Sequence, residues 1–202
     1  MKIKVLFDGM DLSGKSTVAK AFAMQRPEFT LRRTFLCPDN PHVKTAFSRV
    51  EDSSSPLDIS KLFIEAVTHD IESHPMLDEK IILDGPIMTR IPAHLMGRGE
   101  GAEERKVAEY YLNMLDSFPD PEEAFYLWAN MKERVSRLKK RMDENPNAVT
   151  QADLLLFEDP VLFQSIEEMH RHIVNERFNP TVVDTSGVTE QEVLDFVNEK
   201  RC

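Results

Sequence analysis

Residues 9–17 read Gly-Met-Asp-Leu-Ser-Gly-Lys-Ser-Thr, and this stretch decides the fold. It matches the pattern GxxxxGK[ST] of a phosphate-binding loop. An apolar run from Ile3 to Phe7 precedes it, and the apolar residues between Val18 and Phe22 follow it. A strand, a glycine loop and a helix, in that order, are the context that this motif requires. The sequence therefore predicts a strand, a phosphate loop and a helix at the start of the chain.

Each residue type in this loop suits a nucleoside triphosphate. Gly9 and Gly14 let the backbone turn tightly enough for its N–H groups to converge on phosphate oxygens at the positive end of the following helix. Lys15 is predicted to reach the β and γ phosphates, and the Ser16 hydroxyl to ligate Mg²⁺. The alternative is a glycine turn with a solvated lysine. ATP and Mg²⁺ are the predicted cofactors, bound by Gly9, Met10, Asp11, Leu12, Ser13, Gly14, Lys15, Ser16 and Thr17.

Composition limits the remaining possibilities. The chain has 202 residues, of which 41% are hydrophobic and 30% charged, as in one globular α/β domain over residues 1–202. A net charge of −10 disfavours broad binding to nucleic acid or to an anionic membrane. Cys37 and Cys202 are too few for a disulfide framework, the start MKIKVLFDG lacks a signal-peptide core, and no run approaches ~20 apolar residues. We expect a cytoplasmic protein without a membrane partner.

Short apolar segments alternate with longer amphipathic ones along the rest of the chain. Apolar spacings of three and four residues predict a helix over Leu57–His74, and Lys132–Arg141 reads as a basic helix with a mostly solvated face. Strands that alternate with helices predict a parallel sheet, with the functional site at the carboxyl ends of its strands. Further strands are predicted at Phe29–Leu36, Ile81–Leu83, Phe125–Trp128 and Thr181–Val183.

Four blocks together resemble one known family. FDGMDLSGKST is similar to the family pattern FEGxDxxGKST, and DGPIMTRIPAHLMGRG, from Asp84, to DRYxxSxxAYQxxGRG. Leu62-Phe63 is similar to LLFxAxR, and YLWANMKERVSRLKKR to the strand and helix that enter the lid. The chain therefore resembles the thymidylate kinase family of P-loop kinases, with the deoxynucleoside kinases as more distant relatives. The resemblance implies a three-layer α/β fold, a five-stranded parallel sheet of order 2-3-1-4-5 flanked by helices, and a short lid at about residues 141–160.

The resemblance also implies roles for individual residues. Asp11 would face the sugar or acceptor end, and Asp84 the metal shell or the acceptor proton, so that Ser16 and Asp84 would share the metal. Arg137 and Arg141 would close over the transferring phosphoryl group. The predicted catalytic residues are Asp11, Lys15, Asp84, Arg137 and Arg141.

Three further residues are candidates for binding the acceptor. Phe63 would stack on its base, although core packing is an equal rival on an amphipathic helix. Arg98 lies between two glycines and is either an acceptor ligand or a solvated loop residue. His94 falls where the family has a glutamine near the base, and surface exposure is its alternative.

The departures from the family pattern concern the acceptor side. The DR pair is Asp84-Gly85 here, the REP motif reads Leu36-Cys37-Pro38, and Val67 stands where a base-reading arginine is expected. Each missing arginine is a charge-assisted contact of about 1.5–3 kcal/mol. We therefore predict that the acceptor is not plain dTMP. The arginines available to rebuild a phosphate clamp are Arg32, Arg33, Arg90 and Arg98.

The predicted activity is Mg·ATP-dependent transfer of the γ-phosphoryl group to a hydroxyl or phosphate of a nucleoside- or nucleotide-like acceptor. One alternative acceptor is a hydroxymethylated base, as a nucleotide or within DNA. Another alternative is a non-catalytic nucleotide-binding protein, against which the joint presence of Asp11, Lys15, Ser16 and Asp84 argues. Family members often dimerise, so a homodimer is a further expectation.

Overall fold

A five-stranded parallel sheet forms the centre of the molecule in the computed structural model, which describes residues 2–50, 55–73, 79–99 and 101–200. The strand order is β2-β3-β1-β4-β5, which confirms the predicted fold class and topology. All neighbouring strands run parallel. The strands are β1 (Lys2–Asp8), β2 (Thr30–Arg33), β3 (Lys80–Asp84), β4 (Glu123–Trp128) and β5 (Thr181–Asp184).

Helices cover both faces of this sheet. The helices of the first half are α1 (Lys15–Met24), α2 (Pro41–Val50), α3 (Pro56–Leu62), α4 (Ile64–Ser73) and α5 (Ile87–Gly97). Those of the second half are α6 (Ala102–Asp116), α7 (Met131–Glu144), α8 (Gln151–Glu158), α9 (Pro160–Phe178) and α10 (Glu190–Lys200). Among the described residues, no helix is long and apolar enough to span a membrane.

Alternation along β1 produces the three layers. Successive strand residues point to opposite faces of a sheet. Leu6 packs into the core formed with α5, α6 and α9, whereas Val5 and Phe7 pack into the core formed with α1 and α10. In the second core, Phe7 stacks on Phe125 at 5.7 Å and meets the edge of Phe22 at 5.5 Å. Because the strand is buried on both faces, groups that contact a ligand are expected beyond its carboxyl end, in the loop that follows Asp8.

Two regions differ from the sequence-based elements. The single helix predicted over Leu57–His74 is two helices, α3 and α4, which meet at Phe63; His74 itself lies outside the described residues, as does Cys202. The polar segment after α7 folds into a 3-10 turn (Pro146–Ala148) and then α8. A reciprocal cap between Thr150 and Asp153 starts α8, a signal that hydrophobic spacing does not reveal. Leu155 and Leu156 on α8 are buried, so the second half of the predicted lid packs on the core.

Candidate active site

The phosphate loop lies at the carboxyl edge of the sheet, between β1 and α1. At Gly9 the backbone φ is +142°, and a Cβ atom there would lie 2.3 Å from the Leu127 carbonyl oxygen. Only glycine fits at this position, because the loop passes directly against β4. Helix α1 then begins at Lys15 with no acidic residue in its first turn and no side-chain cap, which leaves its N–H groups facing the cleft.

Two arginines of α7 donate hydrogen bonds to main-chain carbonyls of the phosphate loop, on the side that faces α7. Arg134 Nη1 donates to the Asp11 carbonyl at 2.9 Å, and Arg137 Nη1 donates to the Leu12 carbonyl at 3.0 Å. Leu12 has a φ of +64°, a conformation that costs a non-glycine residue about 1–2 kcal/mol. The arginines fix these two peptide groups, so the unusual loop backbone is set before any ligand binds.

Arg134 corrects one sequence interpretation. The basic run of α7 was expected to form a mostly solvated face, yet Arg134 is only 1% exposed. It bonds the Ala129 carbonyl, pairs with Glu167 and lies 5.2 Å from the centre of the Phe163 ring. Burial raises the pKa of Glu167, and the charge of Arg134 acts against that rise. Charge counting along a helix does not show which arginine has an acidic partner on another helix.

Arg137, predicted to contact the transferring phosphoryl group, also has protein partners. Its Nη2 donates to the Thr185 carbonyl at 2.6 Å, its Nη1 to the Thr185 hydroxyl at 3.1 Å, and its Nε to Glu133 at 2.9 Å. It therefore joins the loop to the end of β5. This arrangement suits a residue that supports the nucleotide site more than one that moves onto a phosphate.

Two clefts flank the phosphate loop. Cleft A, about 470 Å³, lies on the β2 and β3 side and is lined by Lys15, Ser16, Lys20, Arg33, Asp84 and Arg90, together with other loop residues. Cleft B, about 480 Å³, lies on the β4 and β5 side and is lined by Ser136, Arg137, Thr185, Thr189, Glu190 and Val193, among others. The two clefts share Leu12, Gly14, Thr17 and Arg141. A molecule laid along the loop would thus extend into both.

The other loop residues have clear positions. The side chains of Met10, Leu12 and Ser13 are buried, and the Thr185 hydroxyl donates to the Ser13 carbonyl at 2.8 Å. Ser16 and Thr17 line cleft A. The loop therefore presents the backbone together with the Lys15, Ser16 and Thr17 side chains to a ligand.

Asp11 binds a protein arginine in cleft A. Arg90 Nη2 donates to both Asp11 carboxylate oxygens at 2.6 Å, and Lys15 Nζ lies 4.0 Å from Oδ1. Burial alone would raise the pKa of the Asp11 carboxyl, but the charges of Arg90 and Lys15 hold it well below its ordinary value. Burial lowers the pKa of Lys15, helped by Arg90 and opposed by Asp11 and Asp84. Arg90, which sequence reasoning counted among four possible clamp residues, lies beside the phosphate loop.

Asp84 ends β3 and has one uncommitted oxygen. Arg33 Nε donates to Oδ2 at 3.1 Å, whereas Oδ1 is buried and has no hydrogen-bond partner within the described part of the chain. Mg²⁺ in nucleotide sites is held by one or two carboxylates together with substrate phosphates. The free oxygen of Asp84 and the Ser16 hydroxyl, both in cleft A, fit that requirement.

Gly85 explains the lost DR pair. Its φ is +59°, and a Cβ atom there would lie 2.8 Å from Lys15 Cε. The stem of Lys15 therefore occupies the space in which a side chain at position 85 would begin. An arginine at this position would strain the backbone and displace the end of the Lys15 side chain, and Arg33 and Arg90 bring positive charge to the same cleft from β2 and α5.

Arg141 lies where the clefts meet. Its side chain is 38% exposed, and Nη1 donates to Asp153 Oδ1 at 2.9 Å. Of the two α7 arginines predicted to contact phosphate, it alone lines cleft A.

The three predicted acceptor residues lie in different environments. Phe63 is 4% exposed, stacks 6.3 Å from Phe35 and meets the edge of Phe47 at 5.1 Å, so its position is that of a core residue. Arg98 is exposed at the end of α5, and neither residue lines cleft A or cleft B. His94 is half-buried, near enough to Asp11 and Arg90 for their charges to act on it. Burial and then the charge of Arg90 lower the pKa of His94 to about 4.

A buried polar network below the loop was not found from the sequence. Asp8 Oδ1 accepts from the Gly9 N–H at 2.8 Å and Oδ2 from the Thr89 hydroxyl at 2.8 Å. His170 lies 3.2 Å from the Thr89 hydroxyl and 3.2 Å from that of Tyr126. Burial raises the pKa of Asp8, but His170 and these hydrogen bonds bring it below its ordinary value. The only signal was Asp8, a carboxylate at the end of an apolar strand.

Comparison with solved structures decides the fold. Deoxyadenosine kinase from M. mycoides superposes with a TM-score of 0.67 at 14% identity, with 98% of each chain covered. Thymidylate kinase from Candida albicans superposes with a TM-score of 0.69 at 16% identity, covering 98% of this chain and 90% of that one. This is the P-loop kinase fold. The resemblance to P-loop nucleoside and nucleotide kinases, predicted from the sequence, is confirmed at the level of the fold.

Sequence comparison finds a distant relative that is also a kinase. A cytidylate kinase from Streptococcus uberis (strain ATCC BAA-854 / 0140J) is 26% identical over an alignment of 223 positions, which covers 98% of this chain and 95% of that protein. No protein-family model matches the chain.

Proposed function

We propose that the protein is a Mg²⁺-dependent phosphotransferase that moves the γ-phosphoryl group of ATP to a nucleotide. The observation that carries this proposal is the arrangement of two clefts on either side of one complete phosphate loop. The kinase names of its relatives in sequence and fold support it.

The side chains that line the two clefts support a different substrate for each. Cleft A contains Lys15, Ser16 and Asp84, the groups suited to the γ-phosphate and Mg²⁺. The acceptor would therefore enter cleft A, while the nucleoside of ATP occupies cleft B. Mg²⁺, held by Ser16 and Asp84, would neutralise charge on the phosphates.

The charge of cleft A favours an acceptor that itself carries a phosphate. Its lining includes five cationic side chains, Lys15, Lys20, Arg33, Arg90 and Arg141, and two acidic ones, Asp11 and Asp84. Arg33 and Arg90 lie on the flank away from cleft B, where a triphosphate bound to the loop leaves them available. Arg33 is already paired with Asp84 and Arg90 with Asp11; a neutral nucleoside would leave their remaining N–H donors unused, whereas a monophosphate would accept hydrogen bonds from both. We therefore assign Arg33 and Arg90 to the acceptor phosphate.

A turnover screen tests the proposal. The complete chain is assayed for ADP release from Mg·ATP with ribo- and deoxynucleoside monophosphates, the matching nucleosides, and DNA containing hydroxymethyluracil. The expected result is turnover with at least one monophosphate, none with its nucleoside, and loss of activity in Lys15→Met. Turnover only with nucleosides or with modified DNA would refute the acceptor assignment. ATP binding without turnover on any acceptor would refute the phosphotransferase and favour the non-catalytic alternative.

A further inference from the structure

One ion pair joins the last turns of α7 to the first turn of α8. Arg141 Nη1 donates to Asp153 Oδ1 at 2.9 Å, and Asp153 is almost fully buried, with its side chain 2% exposed. Arg141 is the partner that lines both clefts. In the part of the chain that the structure describes, Asp153 is the only hydrogen-bond partner of the Arg141 guanidinium, so further N–H groups of this side chain are available to a ligand.

The Asp153 carboxylate is itself fixed by the start of α8. Its Oδ2 accepts from the N–H and the hydroxyl of Thr150, each at 2.9 Å, and the Asp153 N–H donates back to the Thr150 hydroxyl at 3.2 Å. Leu155 and Leu156 then anchor α8 in the core. The direction of Oδ1 is therefore set by the packing of α8 and not by a bound phosphate.

A fixed carboxylate restricts a flexible side chain. An arginine near the end of a helix has many solvent-exposed rotamers, and binding loses affinity or rate when these must be ordered in each reaction cycle. Asp153 removes part of that freedom in the free protein. It also supplies the buried negative charge that keeps the guanidinium at the junction of the clefts.

We propose that Asp153 is a positioning residue, which holds Arg141 at the point where the phosphoryl group passes from cleft B to cleft A. This inference rests on the proposed function. It gives the α8 cap a part in phosphoryl transfer. Asp153 does not touch the reacting atoms but orients the Arg141 guanidinium, which stabilises their charge.

Asp153→Asn is the informative substitution. The amide oxygen can still accept from Thr150, while the NH₂ group faces Arg141 and cannot accept its hydrogen bond. We expect kcat to fall about 10-fold, with the KM values for ATP and acceptor changed less than about 3-fold, because the loss is one of transition-state charge stabilisation. Asp143→Asn is the matched control: it makes the same chemical change at an exposed residue near the end of α7, outside both clefts, and is expected to leave kcat unchanged.

A double-mutant cycle separates positioning from a general effect on the fold. Arg141→Met is expected to lower kcat about 100-fold. The double variant, with Asp153→Asn added, is expected to have a kcat less than about 2-fold below that of Arg141→Met. Thermal unfolding of all variants accounts for any loss of the α8 cap. An equal loss from Asp153→Asn with and without Arg141, or no loss in either background, would overturn the inference.

A readout without turnover distinguishes this inference from the proposed function. The Arg141 Nε–Hε signal, assigned in ¹⁵N NMR spectra by its disappearance in Arg141→Met, should be resolved from mobile arginines in the wild type and join them in Asp153→Asn. A wild-type signal already at the position of mobile arginines would refute the positioning of Arg141, whatever the enzyme phosphorylates. A resolved signal together with an inactive wild type would refute the proposed function instead.

Discussion

The arginines behind the phosphate loop and those in cleft A are held by different partners. Arg134 and Arg137 bond main-chain carbonyls of Asp11, Leu12 and Thr185, in addition to the carboxylates of Glu167 and Glu133. Arg33 and Arg90 bond the carboxylates of Asp84 and Asp11. A main-chain carbonyl is part of the fold and stays in place when a ligand binds.

This difference separates scaffold from binding groups. Arginines that bond main-chain carbonyls of the loop fix its shape, while Arg33 and Arg90, whose described partners are carboxylates, are oriented and able to bind a phosphate with their remaining donors. Asp11 and Asp84 also neutralise part of the positive charge that lines cleft A. We therefore expect substitutions in the first group to lower stability and those in the second to raise KM or lower kcat.

Lys15→Met should have the largest effect. Lys15 is buried and lines cleft A near the Asp11 carboxylate, and no other described side chain of the loop carries positive charge. We expect kcat/KM for ATP to fall about 1,000-fold, because the charge that neutralises the transferring phosphoryl group is lost. Steady-state kinetics measures this, and a loss below about 10-fold would show that Lys15 does not contact the phosphates.

Arg134→Met should lower the stability of the folded protein. Its removal leaves Glu167 without its buried partner and releases the Asp11 carbonyl. We expect the free energy of unfolding to fall by about 3–5 kcal/mol, as when one member of a buried ion pair is removed. Urea denaturation gives this value. Lys139→Met, at an exposed site on the same helix, is the control and should change stability by less than about 0.5 kcal/mol.

Gly85→Arg should lower activity, although it recreates the DR pair of the thymidylate kinase pattern. Its Cβ atom would lie 2.8 Å from Lys15 Cε, on a backbone with a φ of +59°. We expect kcat/KM for ATP to fall about 10-fold through displacement of Lys15. Gly85→Ala, which adds the Cβ without the charge, should show most of the same loss. Higher activity in Gly85→Arg would contradict the assignment of Arg33 and Arg90 as its replacements.

His94→Gln should have the smallest effect, confined to the dependence of stability on pH. Burial lowers the folded-state pKa of His94 to about 4, below the ordinary value of 6.5. Between these values the unfolded chain binds the extra proton, so this histidine makes stability fall as the pH decreases from 6.5 towards 4. The variant should lose this contribution, which is at most about 1.4 kcal/mol per pH unit. Denaturation curves at several pH values measure it; identical slopes in both proteins would contradict the shifted pKa.

Sequence reasoning succeeded where the signal is local. The phosphate loop occupies adjacent residues and has a strand and a helix at fixed distances, so the positions of Lys15 and Ser16 could be predicted, whereas the strand order was implied by the resemblance to the thymidylate kinase family. Asp84 could be placed in the cleft because it ends a buried strand. These positions follow from the backbone alone.

Sequence reasoning could not determine which charged residues form ion pairs between distant parts of the chain. Arg90 and Asp11 are 79 residues apart, and Arg134 and Glu167 are 33 apart, so no spacing rule joins them. Phe63 illustrates the same limit, because an apolar residue on a helix reads alike whether it faces a base or, as here, Phe35 and Phe47. The effect of Gly85 on Lys15 is likewise a matter of tertiary contact.

The most direct test of the two classes of arginine compares Arg90→Met with Arg137→Met. For each variant, the KM for the acceptor found in the turnover screen and the free energy of unfolding are measured together. We predict that Arg90→Met raises the acceptor KM about 10- to 100-fold, with a loss of stability from the broken Asp11 pair, and that Arg137→Met lowers stability with little change in the acceptor KM. A stability loss from Arg90→Met at an unchanged acceptor KM would contradict the account, because Arg90 would then belong to the scaffold.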